Sequence, residues 1–224
     1  MEFDAAPFIV CEFDRDADVR LRLYGDDSAP LGDFDNLAAD LGDEAVMMMN
    51  AGMYHPDRRP VGYYVEDGTR AAPLLTGASA GNFGMLPNGV FWSDGERVSV
   101  TETLAFQALE AEPAFATQSG PMLVIDGALH PRFNLESESR RRRNGVGVSE
   151  DALFFAISDA PVNFHHFARL FRDGLGVGDA LYLDGTISMI RAPEIYRSER
   201  GGQLGPMVAV MAEPDAAEAE SPDD

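Results

Sequence analysis

Lysine is absent from this chain of 224 residues, and all 17 basic residues are arginines. Without lysine the protein cannot form a Schiff base with a carbonyl substrate or pyridoxal phosphate, and it cannot hold a nucleotide in a Walker-type phosphate loop. Because Cys11 is the only cysteine, a disulfide within the chain is excluded. Cys11 ends the apolar run of residues 8–11, which is typical of a buried small side chain rather than of a nucleophile.

Long hydrophobic runs and positive charge are also scarce. The longest apolar runs, such as residues 45–49 and 207–211, are far too short to span a bilayer. No signal peptide is visible at the start of the sequence. The net charge of −21 argues against sequence-independent nucleic-acid binding, which needs a basic groove, and against docking on an anionic membrane. Residues 213–224 are predicted to be a disordered acidic tail.

The chain is rich in short apolar segments separated by Gly, Pro and Asn, a pattern typical of strands joined by turns. Two segments instead have helical spacing: Phe34, Leu37 and Leu41 follow a possible N-cap at Asp33, and a longer stripe of four apolar residues falls within residues 162–175. Strands outnumber helices. The sequence therefore predicts an α+β fold in which residues 1–212 form one domain, a mixed twisted sheet with a few covering helices.

Polar residues next to glycine recur where the predicted strands end. Glycine permits a positive φ and a close approach by another group, so each motif is either a tight turn or part of a ligand site. The recurrence of four such motifs favours a site. The motifs are Asn50-Ala51-Gly52, Ser119-Gly120-Pro121, Asn144-Gly145 after Arg143, and Asp184-Gly185.

Two charged residues among these motifs are candidates for chemistry. Asp184 follows the apolar residues 180–183, so its carboxylate is expected at the rim of a buried sheet, where its pKa can be tuned. The alternative is a turn residue in an Asp-Gly pair. Arg143 ends the arginine run 140–143, most of which we expect to be solvated, but its planar guanidinium at the start of a strand suits a phosphate or carboxylate.

No metal or cofactor site is predicted. His165 and His166 are adjacent on a helix and face different directions, while His55 and His130 lie on loops without ligand spacing. The segment Gly81-Asn82-Phe83-Gly84 is not a dinucleotide fingerprint, because no G-x-G-x-x-G follows a strand and opens a helix.

Taken in order, the motifs resemble those of the phosphodiester glycosidase family, which includes N-acetylglucosamine-1-phosphodiester α-N-acetylglucosaminidase. The family pattern runs Asn-Gly-Gly-Phe-Phe, then Ser-Gly-Pro, then Arg before a small Gly-containing strand, then Leu-Asp-Gly-Gly-Gly-Ser-Ser. The resemblance covers roughly residues 45–212 and looks closest to an uncharacterised bacterial branch. The corresponding segments are Asn50-Ala51-Gly52-Met53-Tyr54, Ser119-Gly120-Pro121, Arg143-Asn144-Gly145-Val146-Gly147 and Leu183-Asp184-Gly185-Thr186-Ile187-Ser188.

The resemblance implies hydrolysis of a sugar whose anomeric carbon is joined to a phosphodiester, without a cofactor, and implies a periplasmic or secreted protein. Asp184 would be the catalytic carboxylate, Asp159 a second one, and Arg143 the residue that binds the phosphate. Asn50 and Ser119 would bind sugar hydroxyls. The other substrate-binding positions implied are Gly52, Gly120, Gly185 and Ser188.

Two departures from the family pattern leave a second function open. Ala51 and Met53 replace part of Gly-Gly-Phe, and Thr186-Ile187 replaces part of the later glycine run. These side chains stand where the family has bare backbone, so we expect a narrower pocket and a different substrate. The alternative is a non-catalytic domain that binds a glycan or phosphoglycan.

Overall fold

The protein is described by a computed structural model that covers residues 1–42, 44–185, 187–195, 197–199 and 203–212. The acidic tail predicted for residues 213–224 lies outside these residues, and the domain boundary at residue 212 stays a prediction. None of the described helices is long and apolar enough to cross a membrane.

The described residues form seventeen short strands and three α-helices. The strands are β1 (Glu2–Phe3), β2 (Ala6–Asp14), β3 (Val19–Arg22), β4 (Ala45–Asn50), β5 (Tyr64–Glu66), β6 (Thr69–Ala72), β7 (Gly89–Ser93), β8 (Val98–Glu102), β9 (Phe115–Ser119), β10 (Met122–Ile125), β11 (Ala128–Leu129), β12 (Asn144–Val148), β13 (Ala152–Ser158), β14 (Asp179–Asp184), β15 (Ile190–Ala192), β16 (Arg197–Ser198) and β17 (Met207–Met211). The helices are α1 (Phe34–Leu41), α2 (Thr103–Leu109) and α3 (Phe164–Arg169), which continues as a π-helix (Leu170–Gly174).

The strands form three sheets. The first has the order β1-β2-β13-β12-β14-β10-β11, the second β16-β15-β4-β17-β3, and the third β6-β5-β9-β7-β8. The α+β class is confirmed, but the prediction of one mixed sheet is wrong for the described residues, where every strand pair is antiparallel. A parallel pair needs a crossover connection, usually a helix, and three short helices supply few of these.

Side chains along the central strands point alternately to the two faces of each sheet. One face lies in a core shared by the three sheets, and the other face lies in a separate outer core. Met47 and Met49 of β4 point into a core shared by all three sheets, whereas Met48 points to the opposite face. In β14 Leu181 and Leu183 point into the shared core, and Tyr182 points away. Since side chains alternate across a strand, each sheet is buried on both faces, as the near-continuous apolar runs in the sequence require.

Each sheet is covered on its outer face by one helix. The predicted apolar stripe Phe34, Leu37 and Leu41 of α1 packs against the second sheet, and Phe106 of α2 packs against the third. Helix α3 and its π-helical extension cover the first sheet. Asp33 caps α1 by accepting a hydrogen bond from the Asn36 amide at 2.8 Å, as the sequence predicts.

Cys11 lies on β2 and is half-buried against the shared core. Burial, and to a smaller extent the carboxylate of Glu194, raise the pKa of its thiol to about 11. At neutral pH the side chain is therefore the neutral thiol, which is a poor nucleophile, in line with the role predicted from the sequence.

Candidate functional site

Four strand ends from the three sheets meet at one edge of the shared core. Strands β4, β9 and β14 end at Asn50, Ser119 and Asp184, and β12 begins at Asn144. Because β12 and β14 are antiparallel, the start of one lies beside the end of the other, and Asn144 is paired with Asp184. The polar motifs that the sequence places at separate strand ends are thus brought together.

Buried hydrogen bonds join these residues. The Asn144 amide group donates to the main-chain oxygen and the Oδ1 of Asn50, at 2.9 and 2.8 Å, and its own Oδ1 accepts the main-chain N–H of Asp184 at 2.8 Å. The hydroxyl of Ser119 donates to the main-chain oxygen of Leu183 at 2.9 Å. Asn50, Ser119 and Asn144 are completely buried. They therefore fix the main chain on which Asp184 stands.

The segment after Asp184 is held by the same network. The Asn50 side chain donates to the main-chain oxygen of Ile187 at 2.5 Å and accepts the N–H of Met189 at 2.8 Å. The Ser188 hydroxyl donates to the main-chain oxygen of Asp184 at 3.1 Å, and the Gly185 N–H donates to the Asp184 carboxylate at 2.6 Å. The loop that carries the carboxylate is thus anchored at both ends.

Asp184 lines a cavity of about 550 Å³, a volume suited to a small-molecule site. Among the described residues, Asp184 is the one carboxylate in the cavity wall and the one predicted site residue that reaches it. The other polar side chains of the wall are Tyr54, His55, Ser79 and Asn82. The apolar side chains are Met53, Pro56, Val61, Ala80, Phe83 and Ile187.

The negative charge of Asp184 raises the pKa of two tyrosine phenols. Burial raises the pKa of the Tyr182 phenol to about 12, with Arg143 lowering and Asp184 raising it. Burial also raises the pKa of the Tyr54 phenol, Asp184 raises it further, and Arg58 acts in the opposite direction. Both phenols therefore stay protonated at neutral pH, and the Tyr54 hydroxyl donates to the main-chain oxygen of Gln203 at 2.9 Å.

Arg143 lies behind the cavity wall, with an exposed fraction of 1%. Its Nε donates to the main-chain oxygen of Val162 and one terminal nitrogen to that of Ser139, both at 2.9 Å. The guanidinium stacks on the Phe164 ring at 3.7 Å. The other terminal nitrogen has no hydrogen-bond partner among the described residues. Burial lowers the pKa of Arg143, but a guanidinium remains charged in proteins.

Asp159 lies apart from the cavity wall. Its carboxylate forms an ion pair with Arg197 and a longer one with Arg142 at 3.8 Å, and all three side chains are about one-third exposed. The Arg142 side chain also pairs with Glu199 at 2.5 Å. The main-chain oxygen of Arg142 accepts a hydrogen bond from the Ser188 hydroxyl. The described contacts therefore connect Asp159 to the site through Arg142, and its role as a second catalytic carboxylate stays a prediction.

The three predicted site glycines are closely approached by protein atoms. A Cβ built on Gly52 would lie 2.8 Å from Thr117 Oγ1, and one on Gly120 would lie 2.6 Å from the Asn88 Cβ. The tightest case is Gly185, where a Cβ would lie 1.8 Å from the Tyr182 hydroxyl oxygen. In the described structure these glycines permit close packing of the site's own walls, and a substrate contact there stays a prediction.

We expect Gly185→Ala to displace Tyr182 and to lower both turnover and stability. Overpacking costs about 1–3 kcal/mol, which corresponds to a fall in Tm of roughly 3–10 °C for a chain of this size. Gly178→Ala, at the other end of β14, is the matched control because a Cβ there meets no atom within 4 Å. Equal melting temperatures and turnover for the two variants would contradict the close approach at Gly185.

Two parts of the cavity wall were not predicted from the sequence. Residues 79–83 form one side, and the turn that contains His55 forms another. The one sequence feature in residues 79–83 was the glycine-bounded segment Gly81-Asn82-Phe83-Gly84. It does not match a dinucleotide-binding motif, and it indicated no other kind of binding site. Ile187, at a family glycine, and Met53, at a family phenylalanine, both line the cavity, while Ala51 is buried away from it and Thr186 lies outside the described residues.

A metal site is not formed by the described residues. No group of three or more His, Cys, Asp or Glu side chains among them is arranged to hold a metal ion. The cavity wall supplies one carboxylate and one imidazole, fewer donors than protein metal sites normally use.

The motif order, the buried asparagine pair and the cavity around a strand-end aspartate occur in a chain that is similar to known proteins. The profile of the phosphodiester glycosidase family matches residues 43–192, which is more than half of the chain. The chain belongs to the phosphodiester glycosidase family. Members of this family are hydrolases that act on sugar phosphodiesters.

One curated relative and two solved structures extend this comparison. Uncharacterized protein YigE of Escherichia coli (strain K12) is 39% identical over 143 residues, which are 63% of this chain and 56% of YigE. The chain thus spans just over half the length of this relative. The zebrafish N-acetylglucosamine-1-phosphodiester alpha-N-acetylglucosaminidase catalytic domain, auto-inhibited by its pro-peptide, has a TM-score of 0.59 at 14% identity, covering 95% of this chain and 86% of that one. A hypothetical protein from Synechocystis has a TM-score of 0.55 at 13% identity, covering 95% and 61%. At these identities the two structures support the fold alone.

Proposed function

We propose that this phosphodiester glycosidase family member hydrolyses the bond between the anomeric carbon of a sugar and a phosphodiester, with Asp184 as the catalytic carboxylate. The sugar ring would lie in the cavity over Asp184. The carboxylate would stabilise positive charge at the anomeric carbon, either by direct attack or by activating water. Arg143 would contribute positive charge toward the phosphate from behind Tyr182.

The observation that carries this proposal is a cavity in which Asp184 is the one carboxylate among the described wall residues. Ordinary glycosidases use two carboxyl groups, one of which protonates the leaving oxygen. A phosphodiester is a good leaving group without protonation, so a single carboxylate in the wall suits this substrate better than an alkyl glycoside. The apolar wall lowers the local dielectric and thereby strengthens the interaction between Asp184 and the developing charge.

A substrate screen tests the proposal. Methyl phosphodiesters of glucose, N-acetylglucosamine and mannose 1-phosphates would be incubated with the full chain, and release of free sugar would be measured. The matched 4-nitrophenyl glycosides, which lack phosphate, serve as the comparison. We expect at least one phosphodiester to be cleaved with a kcat/KM at least tenfold above its neutral glycoside. Tight binding of a sugar without turnover would favour the non-catalytic glycan- or phosphoglycan-binding alternative.

We expect chelation to leave this turnover largely unchanged, because the cavity wall offers too few donors for a metal. The measurement is kcat/KM before and after dialysis against EDTA, with the dialysed enzyme then supplied with Mg²⁺, Mn²⁺, Ca²⁺ or Zn²⁺. Loss of turnover on dialysis and its recovery with one of these ions would contradict the expectation.

A further inference from the structure

Arg58, to which no role has been assigned, is a cation beside the cavity wall, in contact with the wall residue Tyr54. It belongs to the turn that brings Tyr54 and His55 into the cavity wall, which the main-chain bond from Arg58 to His55 closes at 2.8 Å. Arg58 has a φ of 73°, in the left-handed region that side chains other than glycine rarely adopt. Such conformations cost free energy and are enriched at functional sites.

The contacts of Arg58 leave its positive charge uncompensated among the described residues. Its guanidinium donates to the main-chain oxygen and the side-chain oxygen of Gln203, both neutral, and lies over the Tyr54 ring at 5.4 Å. Asp57, the preceding residue, pairs with Arg59 instead, at 2.7 Å. A half-buried guanidinium held by neutral groups is oriented but still attractive to an anion.

The proposed reaction needs such a cation at the cavity. A phosphodiester carries a negative charge, and both Asp184 and the net charge of −21 repel it. Among the described wall residues there is no arginine, and Arg143 is buried with two of its three guanidinium nitrogens bound to main-chain oxygens. The Tyr54 phenol responds to both Asp184 and Arg58, which places the two charges within electrostatic reach of the same wall residue.

We propose that Arg58 is a second arginine that binds the substrate phosphate, at the mouth of the cavity beside Tyr54. This inference rests on the proposed function, since it assigns the phosphate of the same substrate. The sugar would then lie over Asp184, and the phosphodiester would extend toward the turn of residues 55–59. Release of one Gln203 contact would let the guanidinium make two parallel hydrogen bonds to the phosphate oxygens.

Kinetics of Arg58 variants on the methyl phosphodiester that the full chain cleaves best test this proposal. We expect Arg58→Gln to raise KM about 10- to 100-fold, the effect of losing charged hydrogen bonds, with kcat within about threefold. Arg58→Lys, which keeps the charge, should recover part of the loss. The neutral 4-nitrophenyl glycoside should bind equally well to both variants and the wild type. Arg59→Gln is the matched control on the same turn.

The outcomes separate this inference from the function on which it rests. If the wild type cleaves the phosphodiester and Arg58→Gln has the same KM as Arg59→Gln, Arg58 does not bind the phosphate and the proposed function still stands. If the wild type neither binds nor cleaves any of the three phosphodiesters, both proposals fail. If Arg58→Gln weakens the binding of phosphodiester and neutral glycoside equally, the residue shapes the cavity and the phosphate assignment is wrong. Thermal melts of all variants show whether each is folded.

Discussion

Replacing Asp184 with asparagine should lower kcat for a sugar phosphodiester by at least about 10³-fold, because the variant keeps the shape of the residue and removes its charge. The asparagine oxygen can still accept the Gly185 N–H, and the main-chain bond to Asn144 does not depend on the side chain. The substrate should bind at least as tightly as to the wild type, since a negative charge that repels its phosphate is lost. Single-turnover kinetics and substrate binding measured by calorimetry separate these two effects.

Asp179→Asn is the matched control for this variant. Asp179 begins the strand that Asp184 ends, and its carboxylate accepts the main-chain N–H of Asp126 at 3.2 Å, which asparagine can also do. We expect its kcat within about twofold of wild type, as for a substitution away from the site. Near-normal turnover by Asp184→Asn would remove Asp184 from the catalytic role.

A spectroscopic measurement checks the position of the Asp184 charge independently of turnover. Because this charge raises the pKa of the Tyr54 and Tyr182 phenols, its removal should lower both values. Ultraviolet titration of tyrosine ionisation would detect the shift, with Tyr54→Phe and Tyr182→Phe assigning it to a residue. An unchanged titration in Asp184→Asn would show that the carboxylate does not face these phenols.

The sequence was sufficient to locate the strand ends that form this site. Near-continuous apolar runs mark β4 and β14, and each run stops at a polar residue followed closely by glycine, at Asn50 and Asp184. Such a stop is readable because a buried strand cannot carry an unpaired polar side chain without cost. The apolar stripe of Phe34, Leu37 and Leu41 can also be recognised in the sequence, because its helical period differs from that of a strand.

The direction in which each polar side chain points was not readable. In the described structure the Asn50 side chain bonds to the loop after β14 and to the Asn144 side chain, and the Ser119 hydroxyl bonds to the main chain of β14. Their binding of sugar hydroxyls stays a prediction. The hydrogen-bond partner of each side chain depends on which strands from different sheets meet at the edge of the shared core. The local sequence carries no information about those neighbours. The pairing of β12 with β14, for example, joins Asn144 to Asp184 from segments that are far apart in the chain.

The cavity wall was still less readable. Residues 79–83 have no apolar periodicity, and their place in the same cavity wall as Asp184 depends on tertiary contacts around Gly120, where Phe83 and Asn88 pack closely. Such loops are positioned by the scaffold, so their residue types alone do not indicate a site. Among the described residues Asp57 pairs with Arg59 and not with Arg58, and no sequence pattern predicts which of the two arginines it contacts.

Arg143→Lys should lower Tm by about 5–10 °C and also raise KM for the phosphodiester. Lysine keeps the charge, but one ammonium group cannot replace the two nitrogens that bind the main-chain oxygens of Val162 and Ser139, nor the stacking on Phe164. Leaving a buried oxygen unpaired costs about 1–3 kcal/mol, and 1 kcal/mol corresponds to roughly 2–4 °C for a domain of this size. Differential scanning calorimetry measures the change.

The neighbouring exposed residue supplies the control for Arg143. Arg141→Lys makes the same substitution on the surface, where the effect should stay within about 0.5 kcal/mol. The kinetic comparison then separates structure from binding, with both substrates assayed well below the melting temperature of the variant. If Arg143 directs its unpartnered nitrogen toward the phosphate, KM rises for the phosphodiester and stays constant for the neutral glycoside. If Arg143 only supports Tyr182 and α3, the two substrates are affected alike, and the phosphate must be bound without it.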